Sequence, residues 1–367
     1  MRRVAIALAL GALAVLCLPA AAGARAPSGF YGTMWDGPVA SADLAEQERQ
    51  FTLMRSSGVE TLRVVFSWAR LQPTFLPPDF SESDRLVALA ARHGVRLLPL
   101  VIDTPDWAKK DGFRDNSPPR DPQEYATFMR SLVQRYGPAG SFWGMRPDLP
   151  RQPVREWQIW NEMHLDGYWN DHGQVSTHGW TRAYTELLKA SHRAIKAEDP
   201  GARVVLGALA DYAWRHLARL YASGARRFFD VATINMYTSR PDLVLKGVRL
   251  FRKAMKRGRD ARKPAWLTEV GWPASLRRNP RPSARWQRAW ETTDSGMARR
   301  VTRFFSLALR ERSKLGLARV YWYTWSSSYR RGSIFNFTGL TLFDGQRYQA
   351  KPALAAFRAS ARRNGAR

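Results

Sequence analysis

The stretch Glu156-Trp157-Gln158-Ile159-Trp160-Asn161-Glu162 sets three large apolar side chains, Trp157, Ile159 and Trp160, in a run without glycine or proline, and stops on an Asn-Glu pair. A short apolar run with such an edge reads as a buried strand. Its end is unusual, because a carboxylate at the end of an apolar strand is expensive to bury unless it is hydrogen-bonded or paired. Further on, Ala265-Trp266-Leu267-Thr268-Glu269-Val270-Gly271-Trp272 is a second strand of the same kind, again with one Glu near its end. A salt bridge or a helix cap would account for one such Glu. Two of them on matching strands are harder to explain that way.

Outward from these two stretches the pattern repeats. Strand-like runs fall at 30–36, 61–68, 95–103, 156–162, 203–209, 229–237, 264–271 and 320–325, with helix-like stretches between them, among them 42–57, 83–93, 122–136, 180–197, 297–314 and 352–361. Eight strands each followed by a helix predict an α/β chain folded as a single (β/α)8 TIM barrel. A doubly wound sheet fits less well, since no Gly-rich phosphate loop follows the first strand. In a barrel the chemistry gathers at the C-terminal strand ends. Those ends carry Trp35-Asp36, Ser67-Trp68, Asp103, Asn161-Glu162, Asn235 and Tyr237, Glu269 and Trp325.

Strands four and seven lie on opposite sides of an eight-stranded mouth, so Glu162 and Glu269 would face each other across it. Hydrolysis of a glycosidic bond needs two flanking carboxyl groups, and retention of configuration needs them about 5–5.5 Å apart. The Trp-Asn-Glu end of strand four and the Thr-Glu-Val-Gly-Trp end of strand seven resemble the clan A glycoside hydrolases. The run from Trp157 to Glu162, continuing to Gly167-Tyr168-Trp169, looks most like family 39 and its polysaccharide-hydrolase relatives, and the likeness extends over about 30–361.

The resemblance implies a retaining enzyme with Glu162 as acid/base and Glu269 as nucleophile. It implies that Arg63 holds the nucleophile ionised, that Asn161 binds the sugar 2-hydroxyl, and that Tyr237 hydrogen-bonds the nucleophile. Trp325 would form the floor of the first sugar site. A surface Arg and ordinary core aromatics are the plainer alternatives for Arg63, Tyr237 and Trp325. The closing Gly339-Leu340, Asp344-Gly345 and Lys351-Pro352-Ala353 also look like the end of these barrels. Two positions depart from the pattern: Met163-His164 stands where relatives often carry Pro-Asn, and Asn235 where they carry His. The β-sandwich of family 39 xylosidases has no counterpart of sufficient length, so xylosidase activity is not carried over.

Fifteen tryptophans are many for this length. Trp35, Trp68, Trp107, Trp169 and Trp272 sit at or just past strand ends, where a flat ring can stack on a pyranose; core packing is the equal alternative for each. The six histidines (His93, His164, His172, His178, His192, His216) form no pair at metal-ligand spacing, and neither a Ser-His-Asp arrangement nor a nucleotide motif stands out. No metal and no cofactor is expected.

The chain opens with Met1-Arg2-Arg3, an apolar run from Val4 to Leu18, and Ala20-Ala21-Ala22-Gly23-Ala24. A charged start, a short apolar middle and an A-x-A end describe an export signal, and the run is shorter than the ~20 residues of a membrane span. The expected organisation is a signal peptide over 1–24, a catalytic domain over 27–367, and a secreted or extracytoplasmic product without a transmembrane segment. Cys17 is the only cysteine and lies within the signal; bulky Leu16 before it disfavours lipidation. Disulfides and thiolate chemistry are thereby excluded from the mature chain.

Lys and Arg number 58 against 31 Asp and Glu, a formal net charge of +27 to which Arg2 and Arg3 contribute two. Such a surface favours anionic partners, but no recognition helix, zinc finger or RNA-binding motif accompanies it, so nucleic acid is not expected. The partner expected is an oligo- or polysaccharide substrate, acidic if the charge serves recognition. A catalytically silent polysaccharide-binding barrel and a basic adhesin are the competing classes.

Overall fold

The computed structural model describes residues 25–111, 116–170, 179–276, 278, 285–330 and 332–365. The expected export signal lies outside the described residues, as do His172 and His178. Among the described residues no helix is long and apolar enough to cross a membrane.

Eight parallel strands form one sheet: β1 (Tyr31–Trp35), β2 (Thr61–Ser67), β3 (Arg96–Ile102), β4 (Glu156–Ile159), β5 (Arg203–Val205), β6 (Ala232–Asn235), β7 (Ala265–Val270) and β8 (Leu317–Trp322). They run in the order β5-β4-β3-β2-β1-β8-β7-β6. Parallel bridges Val205–Val231 and Leu209–Ile234 join the two outer strands, so the sheet closes into a barrel. Each strand is followed by a helix: α1 (Leu44–Ser56), α2 (Ser81–Arg92), α3 (Pro122–Tyr136), α4 (Trp180–Glu198), α5 (Ala213–Ala222), α6 (Pro241–Arg257), α7 (Asp294–Leu315) and α8 (Pro352–Arg363). The chain is a (β/α)8 barrel, as its alternation predicts.

Local chemistry sets the boundaries. Asp43 caps α1 by accepting from the Glu46 N–H, Asp121 caps α3 with Pro122 in its first turn, and Thr293 caps α7. Such caps occupy otherwise orphaned N–H groups. The strands are apolar almost end to end, as parallel strands covered on both faces must be, and all six residues of β7 are buried. One apolar layer lies between sheet and helices; a second, of Leu98, Val205, Val231, Trp266 and Tyr321, fills the barrel. At the N-terminal end of the barrel the Glu156 carboxylate is held by Arg319 and Arg203. The Trp266 ring is flanked by both guanidinium groups, at 5.5 Å from Arg203 and 4.2 Å from Arg319. This plug leaves the opposite end as the open mouth.

β8 differs from the sequence expectation of 320–325. Gly316 ends α7 in the left-handed region (φ 58°), and its carbonyl accepts at once from Ala265 of β7. Pairing therefore begins at Leu317 and finishes three residues early, so that Trp322, not Trp325, is the last residue of the strand.

Candidate active site

β4 stops at Ile159, after which Trp160 (φ 66°) and Glu162 (φ 45°) take left-handed conformations that turn the chain into the mouth. The Glu162 N–H donates to the Ala208 carbonyl at 2.9 Å. That approach needs Gly207, where a Cβ would stand 2.6 Å from the Ile159 carbonyl and 2.7 Å from the Met163 sulfur. Asn235, at the end of β6, donates its side-chain N–H to Glu162 Oε1 at 2.8 Å. Its own oxygen accepts from the Thr268 hydroxyl at 2.8 Å, which fixes the amide with its nitrogen toward Glu162.

On β7 the register slips against both neighbours, between Ile234 and Asn235 on one side and between Leu267 and Val270 on the other. Irregularities of this kind re-aim side chains, and here Thr268 and Glu269 both reach the residues of the mouth. Glu269 Oε1 accepts from Arg63 Nη1 at 2.6 Å, and Oε2 from the Tyr237 hydroxyl at 2.6 Å. Arg63, fully buried on β2, spends its fork on three acceptors: Gln158 Oε1 at 2.7 Å, Asn161 Oδ1 at 2.9 Å and Glu269. A buried guanidinium is tolerable only when paired and hydrogen-bonded in this way.

The two carboxyl groups therefore sit in contrasting environments. Glu269 is clamped between the Arg63 guanidinium and the Tyr237 phenol, accepting a hydrogen bond from each. Burial pushes the Glu162 carboxyl well above the usual carboxylate range, and the nearby charge of Glu269 adds to the shift; the Asn235 hydrogen bond and the Arg63 charge oppose it, and Asp211 reinforces it. Tyr237 is likewise raised well above an ordinary phenol by burial and by Glu269, which keeps its proton in place for the bond it donates. A carboxyl group raised by burial beside a second carboxyl group bonded to a guanidinium is the pattern of an acid and a nucleophile or base.

The structure brings Arg63, Asn161, Glu162, Asn235, Tyr237 and Glu269 into one network. It does not bring in five of the tryptophans offered as sugar-facing candidates, Trp35, Trp68, Trp169, Trp272 and Trp325. Trp325 is fully buried and donates to Gln50 of α1 at 2.7 Å. Trp35 packs on Phe51 of the same helix, ring centroids 5.0 Å apart. Trp169 lies edge-on to Trp160, and Trp272 is buried against Phe304 and Trp322 with its N–H on the Thr238 carbonyl. Trp68 is buried among Trp107, Tyr125 and Phe128. In each case the ring is buried in the main apolar cluster, and the core-packing alternative is the one observed.

Sequence reasoning missed Tyr323, whose hydroxyl donates to Asp36 Oδ2 at 2.6 Å and whose ring lies 6.2 Å from that of Tyr237. It also missed Gln158 and Thr268, for which a signal existed: each is a polar residue inside an otherwise apolar strand. His164 is buried with neither ring nitrogen hydrogen-bonded and stacks on His216 at 4.3 Å. Burial, then the His216 charge, lowers it to about 3, so it stays neutral. Among the described residues no group of three His, Cys, Asp or Glu could hold a metal ion.

A scan against protein-family models finds no match, and no curated protein matches the sequence. Solved structures do. A family 39 glycoside hydrolase from Bacteroides cellulosilyticus WH2 superposes with a TM-score of 0.66 at 18% identity, covering 92% of this chain and 64% of its own. A monomeric beta-xylosidase from Caulobacter crescentus CB15 gives 0.66 at 18% identity, covering 92% and 69%. GH5_18 from Streptomyces cattleya, in complex with GlcNAc, gives 0.64 at 18%, covering 93% and 81%. This chain thus spans just under two thirds of the length of the first. At these identities the likeness is one of fold: the barrel built here is the barrel that these glycoside hydrolases share.

Proposed function

We propose that the protein is a retaining glycoside hydrolase that cleaves β-linked oligo- or polysaccharide by double displacement. The observation that carries this reading is the unequal treatment of two carboxyl groups at one barrel mouth. Glu269, oriented by Arg63 and Tyr237, attacks the anomeric carbon. Glu162, protonated beyond the usual carboxylate range, gives its proton to the leaving oxygen as the glycosidic bond breaks. The resulting glycosyl ester on Glu269 carries no charge, which lowers the affinity of Glu162 for its proton. Glu162 then takes a proton from water, whose oxygen displaces Glu269 and leaves the anomeric configuration as it began. Arg63 and Asn161 share a hydrogen bond, so the group placed to meet the sugar 2-hydroxyl is tied to the group that orients the nucleophile.

A 2-deoxy-2-fluoro glycoside of an accepted sugar is expected to label one peptide, that containing Glu269; label on another carboxylate overturns the assignment. Glu162→Ala is expected to lose glycosides with poor leaving groups, to keep activated aryl glycosides, and to yield a β-glycosyl azide when azide is added. Glu269→Ala should give the α-azide instead. Exchanged products would mean reversed roles, and neither product would leave a barrel that binds glycan without cleaving it. The leader-like segment 1–24 supports export, which N-terminal sequencing of the protein recovered outside the cell checks: a start near Ala24 or Ala26 is expected.

A further inference from the structure

β5 passes into α5 through Asp211 and Tyr212, both left-handed at φ 32° and 59°. Tyr212 occupies the cap position of α5. Caps favour Ser, Thr, Asp or Asn, whose side chains accept from the first N–H groups of the helix; Tyr212 makes no such bond. A bulky side chain is also disfavoured in the left-handed region, and this one is 59% exposed. Three local preferences are thus broken at one residue, and burial returns nothing for them. Departures of that kind concentrate where function demands them.

The setting shows what is demanded. The Arg215 guanidinium lies over the Tyr212 ring at 4.8 Å, and Trp214 meets the ring edge-on at 5.7 Å. The ring is braced by its neighbours while most of its surface faces solvent. The Glu162 N–H bonds to Ala208, four residues before Tyr212, so the turn that carries Tyr212 lies on the Glu162 side of the mouth. The charge of Asp211, its immediate neighbour, is felt at Glu162. An acid/base residue protonates the oxygen of the leaving group, so the departing sugar lies on that side.

We propose that Tyr212, braced by Arg215 and Trp214, is a stacking platform for the pyranose on the leaving side of the scissile bond. This rests on Glu162 being the acid/base. An exposed flat ring meets the C–H face of a pyranose as an apolar surface with a polar rim. The preferred substrates are then chains with at least one sugar beyond the cleaved bond, not small glycosides.

The test compares Tyr212→Asn and Tyr212→Phe with the parent. Asn suits both the cap and the left-handed backbone, so Tyr212→Asn is expected to raise Tm while lowering kcat/KM on β-1,4-linked gluco-, manno- or xylo-oligosaccharides by about tenfold. Activity on the β-glycosyl fluoride of the same sugar, whose leaving group occupies no platform, should be unchanged. Tyr212→Phe should retain both activities. Equal loss on oligosaccharide and fluoride, or no loss on oligosaccharide, overturns the platform. Calorimetric titration of the same oligosaccharides into Glu269→Gln, with and without Tyr212→Asn, reads the platform apart from turnover. Weaker binding with Tyr212→Asn upholds the platform; the same result beside a parent protein that hydrolyses neither oligosaccharide nor glycosyl fluoride sinks the catalytic reading, and with it the assignment of the platform to the leaving side. Unchanged binding, or none in either protein, would sink the platform.

Discussion

Arg63 links β2, β4 and β7 through one guanidinium, and the residues around it carry the sharpest predictions. Tyr237→Phe removes one of two bonds to the Glu269 anion. A hydrogen bond to a charged group contributes about 1.5–3 kcal/mol, so kcat should fall by roughly 10- to 100-fold with KM little changed, as measured by initial rates. The raised Glu162 carboxyl makes a signed prediction for pH. The protonated acid is the active form, so kcat/KM should fall on the alkaline side, well above the ~4.3 of free Glu. The Asn235 hydrogen bond favours the ionised form, so Asn235→Ala should move that limb to still higher pH; a shift to lower pH would contradict it. The same shift bears on stability, because the folded state holds the Glu162 proton more tightly than the unfolded chain. Stability from this group is fully present below the unfolded pKa and is lost as pH rises through the folded one. Glu162→Gln should therefore raise Tm at neutral and alkaline pH, and not at pH 4. These residues were legible in the sequence because each is polar at the end of an apolar strand or within one. The tryptophans were not, because past a strand end the alternation of faces no longer tells inward from outward, and left-handed Trp160 breaks it outright.

Among the elements, strands and helices could be read from their periods, but the strand ends drifted. β8 is the instructive case: the aromatic run Tyr321-Trp322-Tyr323-Thr324-Trp325 gives no internal sign of where pairing stops. The stop is set outside it, by Gly316 closing α7 and starting the pairing at once. The expected strand end at Trp325 therefore lies three residues beyond the observed one at Trp322. A second element-level detail is the close approach of β4 and β5 at Gly207, where the Tyr184 hydroxyl accepts from the Gly207 N–H and donates to the Ile159 carbonyl. Gly207→Ala would force these strand ends apart. Overpacking of this kind destabilises by about 1–3 kcal/mol, so Tm should fall by several degrees. Glu162 hangs from the neighbouring Ala208, so kcat should fall as well, read by thermal melts and rates on the same preparation.

For the whole molecule, the alternation of eight strands with helices was enough to give the barrel, since few architectures accommodate it. What the linear sequence conceals is how far apart in the chain the site residues lie. Arg63 and Glu269 are separated by 206 positions, and the seam between the first and last strands joins Thr33 to Trp322 across 289. Both carboxyl groups are already present in a chain cut at Leu315, before β8. That fragment should have no measurable hydrolysis, because β1 and β7 would lack the strand between them; activity in it would contradict the dependence of the site on closure.

The seam has a consequence in time. Contacts between distant parts of a chain form slowly, because loop-closure entropy opposes them until the last of them is made. On the ribosome, Glu162 and Glu269 emerge well before β8, yet Glu269 cannot be held in its final frame until the last strand arrives to close the ring. Refolding from denaturant should therefore show helix signal returning first and hydrolysis returning only with the slowest phase, without an early burst.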